Sequence, residues 1–286
     1  MLAGWGLRLA ADVGGPEHAP YAVLVPGAGQ TRRAWAATAH RLSQTGYRVL
    51  SLDLRGHGGS DWAADGDYGI DAFVADIETV LASLAAPAVL VGASIGGIAA
   101  LIAAAGSSAA RVAGLVLVDV VPHMQPQGLQ RIRDFMSAHA DGFASLEEAA
   151  DAVAAFLPDR PRPANSQGLL NSLRQCDDGR LRWHWDPAFH AGSAGRSGMF
   201  ERMEAAAAKV VAPTLLISGK RSDVVSREGA QKLLSMIPHA RWIDVEDAAH
   251  MVAGDSNEVF QAALEDFLQT LPPSSSSRFQ RQQGRS

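Results

Sequence analysis

The sequence predicts an α/β fold in which helices cover both faces of a mostly parallel central sheet. Apolar, strand-like stretches alternate with helix-like stretches along most of the chain, which is the order typical of parallel sheets. The strand-like stretches are apolar at successive positions, as expected for strands that are buried on both faces. Around Ser94, a glycine-rich turn joins one such strand directly to a small-residue helix.

The individual elements follow from this alternation. Runs rich in Val, Leu and Ile predict strands over residues 21–25, 48–52, 88–91, 115–118, 214–218 and 241–245. The stretches between them predict helices over residues 33–44, 70–84, 97–105, 228–236 and 258–270.

The alternation stops between residues 122 and 209, which are more polar and predict helices over 127–139, 146–157 and 199–208. We therefore expect a helical cap insertion, 122–209, between a first part of the core, 1–121, and a second part, 210–271. An irregular part of the main domain is the alternative. The serine- and arginine-rich tail, 272–286, is expected to be disordered.

Composition limits the class of protein. With 47% apolar and 19% charged residues in 286, the chain is expected to form a sizeable core. A net charge of −5 and an isoelectric point of about 6.0 argue against a nucleic-acid surface. Cys176 is the single cysteine, so an internal disulfide framework is excluded. We find neither a leader segment nor an apolar stretch that could span a membrane, and we expect a soluble, cytoplasmic protein.

Residues 92–96, Gly-Ala-Ser-Ile-Gly, fit the Gly-x-Ser-x-Gly pattern of a serine nucleophile. A serine on a tight turn between strand and helix projects its hydroxyl from the carboxyl edge of the sheet. The N-terminus of the following helix directs free N–H groups towards an anion formed there. We therefore predict that Ser94 is a catalytic nucleophile; a purely structural Gly–Ser turn is the alternative.

A serine nucleophile needs a base, usually a histidine that a carboxylate orients. Of the nine histidines, His250 follows the last predicted strand and precedes the final helix, on the same sheet edge as Ser94. Asp223 follows the strand 214–218 and is predicted to be the acid. Asp119, at the end of the strand 115–118, is the rival.

The developing oxyanion needs two N–H donors. One is predicted to come from Ile95, which follows the serine, and the other from Ala28 in the glycine-containing loop after the first predicted strand. Gly27 of that loop is expected to contact substrate. Met124, Trp185 and Met251 are further candidates for the pocket, although Trp185 is also compatible with the core of the cap.

Together these motifs resemble the α/β-hydrolase fold family, over about residues 20 to 270. The segment 53–60, Asp-Leu-Arg-Gly-His-Gly-Gly-Ser, is similar to that family's D-x-R-G-x-G-x-S loop, and 92–97, 219–223 and 249–250 add to the likeness. The resemblance implies Ser94 as nucleophile, Asp223 as acid and His250 as base. It also implies a helical cap and no metal or organic cofactor.

The loop at Pro26-Gly27 departs from the His-Gly often found in the family, which affects the shape of the oxyanion loop and not the triad. Relatives that open epoxides or displace halides use an aspartate where this chain has Ser94. The sequence thus predicts a serine hydrolase that cleaves a carboxylic ester, lactone or thioester, and it favours an apolar ester of small or medium size. Hydrolysis of C–C bonds in diketone-like substrates, cofactor-free haloperoxidase or perhydrolase activity, and a non-catalytic ligand-binding role remain alternatives.

Overall fold

The computed structural model describes residues 1–158, 166–191, 198–246 and 258–272. The strands there are β1 (Leu2–Ala3), β2 (Arg8–Leu9), β3 (Ala11–Gly14), β4 (Tyr21–Val25), β5 (Arg48–Leu52), β6 (Ala88–Ala93), β7 (Val112–Val118), β8 (Leu173–Gln175), β9 (Leu181–Trp183), β10 (Thr214–Gly219) and β11 (Arg241–Val245). The α-helices are α1 (Ala36–Gln44), α2 (Ile70–Ser83), α3 (Ser94–Ala105), α4 (Pro126–Ser137), α5 (Leu146–Phe156), α6 (Ala188–Ala191), α7 (Met199–Ala207), α8 (Arg227–Met236) and α9 (Glu258–Thr270). Short 3-10 helices span Arg32–Trp35, Ala109–Arg111 and Ser166–Asn171.

A seven-stranded sheet in the order β11-β10-β7-β6-β4-β5-β3 forms the centre of the molecule. Every neighbouring pair is parallel except β3 with β5, so the predicted, mostly parallel sheet is confirmed. Alternate residues of the strands point to opposite faces. Val23 lies in a core formed with α2, α3 and α8, whereas Leu24 lies in a core formed with α1 and α9.

Sequence predicted all six parallel strands of the central sheet, and the missed strands are short. β3 is an antiparallel edge strand with two exposed residues, and β8 contains an arginine and a glutamine. Such strands form because a partner strand pairs with them, which local residue preference does not reveal. In β8, Leu173 lies opposite Trp183 of β9.

The segment between β7 and β10 contains α4 to α7 together with the β8–β9 hairpin. The predicted cap is therefore not purely helical where it is described, while its boundaries as a separate domain stay a prediction. The predicted disorder of the tail concerns residues that, apart from Pro272, lie outside the described ones. Among the described helices, none combines the length and apolar character that a bilayer crossing requires.

A buried ion pair fixes the loop that follows β5 against α2. Arg55 Nε lies 2.7 Å from Asp76 Oδ2, and the two side chains are only 2% and 6% exposed. Arg55 also donates to the carbonyl oxygens of Trp5 and Asp67. Removing one member would leave the other charge buried without a partner, which is far more costly than losing a solvent-exposed pair.

We expect Asp76→Ala to lower the free energy of unfolding by about 3–5 kcal/mol, because Arg55 is then buried and unpaired. Asp61→Ala is the matched control, since it removes the exposed ion pair with Arg8, and it should cost less than about 1 kcal/mol. Denaturant unfolding of both variants measures the difference. Equal losses would contradict the importance of burial here.

Candidate active site

Ser94 occupies a strained turn between β6 and α3. Its φ is +48°, a left-handed conformation that is unfavourable for a residue with a Cβ. The turn is tightly packed: a Cβ at Gly96 would lie 2.4 Å from the carbonyl oxygen of Pro26, and one at Gly92 would lie 2.7 Å from that of Gly96. Only glycine fits at these two positions, and the start of α3 is thereby held against the end of β4.

The loop after β4 lies directly beside this serine. A Cβ built on Gly27 would be 3.3 Å from Ser94 Cβ. Gln30 closes the loop on itself, because its side-chain Oε1 accepts from the Gly27 N–H at 2.9 Å and its own N–H donates to the Gly27 carbonyl at 3.2 Å. Within the described residues the Ala28 N–H donates to no protein acceptor. Ile95 is the second residue of α3, where an N–H has no partner within the helix.

A histidine from the segment between β7 and β10, called the inserted segment below, connects this loop to the loop that follows β5. His184 is 6% exposed. Its Nδ1 accepts from the Gly58 N–H at 2.7 Å, so its Nε2 carries the proton and donates to the Gly29 carbonyl at 3.2 Å. Burial lowers the pKa of His184 below its ordinary value, although the Gly29 carbonyl and Asp53 oppose the shift. The neutral ring is the form that makes both hydrogen bonds.

Ser94 opens onto a cavity of about 460 Å³ between the sheet edge and the inserted segment. The loop after β4 contributes Gly27, Ala28 and Gln30 to its wall. The opposite wall is mostly apolar and comes from α4, α5, the 3-10 helix Ser166–Asn171 and the region of β9: Ile132, Phe135, Met136, Val153, Phe156, Leu157, Leu169, Trp183 and Trp185. Its volume lies within the range of small-molecule sites.

Asp119 follows the end of β7, just as Ser94 follows the end of β6. Ala93 of β6 pairs with Val118 of β7, so Ser94 and Asp119 come directly after a paired position of two neighbouring strands. Asp119 is 1% exposed and has a φ of +51°. Its carboxylate accepts from the Ser222 hydroxyl at 2.7 Å and from the Gly219 N–H at 3.2 Å, so both carboxylate oxygens are held in place. Strained backbone at two adjacent strand ends is typical of a functional site.

Asp223, the acid predicted from sequence, lies on the loop after β10. Its Oδ2 is 2.8 Å from Nε of Arg131 on α4, and the two side chains are 37% and 43% exposed. It does not line the cavity. In the described residues, Asp223 therefore joins the loop to α4, and it has neither the burial nor the strand-end position of Asp119.

Of the other predicted site residues, some lie outside the described part of the chain and one lines the cavity. His250 and Met251 lie outside the described residues. Trp185 lines the cavity and stacks on Trp183 at 5.0 Å between ring centroids, whereas Met124 is buried without lining it. The described residues contain no group of three or more His, Cys, Asp or Glu side chains placed to hold a metal ion.

Sequence reasoning did not identify two side chains of this region. His184 lies within the expected insertion 122–209, and Arg33, which lines the cavity, begins the predicted helix 33–44. Their partners, Gly29 and Asn171, are 155 and 138 residues away in sequence. No local pattern could have revealed contacts across such separations.

Comparison with known proteins identifies the family of the chain. The sequence model of the alpha/beta hydrolase family matches residues 22–263. The chain belongs to the alpha/beta hydrolase family. It is 29% identical over 259 residues to an esterase of Mycobacterium tuberculosis, covering 88% of this chain and 84% of the esterase.

Two further relatives of this α/β-fold hydrolase extend the comparison. A 3-hydroxybutyrate-oligomer hydrolase of Cupriavidus necator is 27% identical over 256 residues, covering 83% of this chain and 84% of the relative. The crystal structure of E-2-(acetamidomethylene)succinate hydrolase superposes with a TM-score of 0.82 at 24% identity. The superposition covers 93% of this chain and 96% of that structure, and it supports the fold alone.

We expect acid to destabilise the folded protein through His184. The unfolded chain protonates this residue near pH 6.5, and the folded chain only at lower pH, so stability is lost as the pH falls below about 6.5. The free energy of unfolding should therefore fall more steeply between about pH 7.5 and 5.5 in the wild type than in His184→Gln. His40→Gln, which removes an exposed histidine of α1, controls for the substitution. Equal slopes in all three proteins would contradict the assignment.

Proposed function

We propose that the protein hydrolyses carboxylic esters of small molecules, with Ser94 as the nucleophile. The observation that carries the proposal is the strained turn that holds Ser94 beside Gly27 at the edge of an apolar cavity. The esterase and oligomer hydrolase named above support the same reaction class. Lactones and thioesters share the carbonyl chemistry and fall within the proposal.

In the proposed reaction, the Ser94 hydroxyl attacks the ester carbonyl while His250 takes its proton. The N–H groups of Ala28 and Ile95 stabilise the oxyanion, and His250 then protonates the leaving alcohol. Water hydrolyses the acyl-enzyme with His250 again acting as base. The Ala28 N–H is available for this role because it has no acceptor in the described part of the chain.

We further propose Asp119 as the acid that orients His250, in preference to Asp223. A triad acid is typically buried and held in a fixed orientation by hydrogen-bond donors. Asp119 has the burial, the donors Gly219 and Ser222, and a strand end next to Ser94. Asp223 is instead engaged with Arg131 at a half-exposed position.

The cavity supports a substrate of small to medium size. Its volume of about 460 Å³ and its wall of aromatic and aliphatic side chains favour an ester with an apolar body. Trp185 and Gly27, which both line this space, are proposed to contact the substrate.

We expect Ser94→Ala and Asp119→Asn each to lower kcat on p-nitrophenyl butyrate by about 10⁴-fold, because each removes one member of a unit that acts together. Asp223→Asn should lower kcat by less than about tenfold, since only an exposed ion pair is lost. Ser137→Ala, an exposed serine of α4, is the control, and circular dichroism verifies folding.

Three outcomes of these assays would change the assigned nucleophile, acid or reaction. Full activity in folded Ser94→Ala would overturn the mechanism. A large loss in Asp223→Asn with little loss in Asp119→Asn would return the acid to Asp223. Turnover of a vinylogous diketone without turnover of any ester would assign the same serine to C–C bond hydrolysis.

A further inference from the structure

One residue gives the apolar cavity a formal charge. Among the described residues that line it, Arg33 is charged and all the others are neutral. Arg33 belongs to the 3-10 helix Arg32–Trp35, which directly follows the loop Gly27–Gln30 beside Ser94. A substrate with an entirely apolar body would therefore meet a guanidinium group on one side of the cavity.

The charge of Arg33 has no counter-ion in the described residues. Its Nη1 donates to the side-chain Oδ1 of Asn171, at the end of the 3-10 helix Ser166–Asn171. The amide is neutral, so it orients the guanidinium without cancelling its charge. The preceding residue differs: Arg32 is paired with Asp12 and Asp53.

The described residues use little of the hydrogen-bonding capacity of Arg33. A guanidinium has five N–H donors in a rigid fork that matches the two oxygens of a carboxylate. One donor binds Asn171, and Arg33 makes no ion pair within the described residues. Arg33 lines the space that the substrate would fill.

We propose that Arg33 binds a carboxylate that the substrate carries in addition to its scissile ester. This inference rests on the proposed ester hydrolysis and specifies its substrate class: a half-ester of a dicarboxylic acid, with an apolar body between the ester and the free acid. Asn171, which also lines the cavity, holds the guanidinium there through its side-chain oxygen.

Three ethyl esters of equal acyl length test the proposal: monoethyl adipate is anionic, ethyl hexanoate is neutral and ethyl 6-aminohexanoate is cationic. The wild type should prefer the anion to the neutral ester by about tenfold in kcat/KM, the effect of one charge-assisted hydrogen bond. The preference should appear in KM, because a contact remote from the reacting carbonyl is present in ground state and transition state alike. Raising the salt concentration should weaken it.

Substitutions at Arg33 give the sharper test. Arg33→Gln should remove the preference for the anionic ester. Arg33→Glu should reverse the order of kcat/KM, so that the cationic ester has the highest value. Arg133→Gln removes one positive charge from an exposed position of α4 outside the cavity and should keep the wild-type order. The readout is the ratio of kcat/KM between esters within each protein.

If Arg33→Gln lowered kcat/KM equally for all three esters, the proposal would be overturned. Arg33 would then have only a structural role, through its hydrogen bond to Asn171. A wild type without preference for the anion would overturn it as well. Failure of the wild type to hydrolyse any ester would instead refute the proposed function. In that case, titration calorimetry of the same ligands with the Ser94→Ala protein still decides whether Arg33 selects an anion.

Discussion

The close packing of the Ser94 turn against the end of β4 is the constraint on which the rest of the site depends. Pro26 and the start of α3 approach so closely that Gly96 has no room for a side chain. This contact forces Ser94 into a left-handed conformation and brings Gly27 beside it. Ser94 and the loop are thus held in position by the packing of the sheet.

The segment between β7 and β10 contacts the loop after β4 and forms part of the cavity wall. Its His184 donates to the carbonyl of Gly29, and Trp185 and Met136 come within 3.2 Å of where a Cβ of Gly29 would lie. The same segment supplies the apolar wall of the cavity. The shape of the loop and the shape of the substrate space are therefore coupled, since one group of side chains contacts both.

Sequence alone was sufficient for the features that depend on local pattern. The bounds of β4, β5 and β11 match the prediction, whereas β6, β7 and β10 extend beyond it by one to three residues. The glycines around Ser94 identified the turn. The cavity charge at Arg33 and the loop contact of His184 were missed, because both arise from residues far apart in the chain. Asp119 and Asp223 both follow strands on the same sheet edge, and only burial and partners distinguish them.

Reaction with a fluorophosphonate, followed by peptide mass spectrometry, tests the central claim most directly. Such a probe forms a stable adduct only with a serine whose hydroxyl is activated by a base and whose oxyanion hole is formed. The strained Ser94 turn, together with the loop beside it, predicts one adduct, on the peptide that contains Ser94. An unlabelled protein, or an adduct on a different serine, would contradict the account.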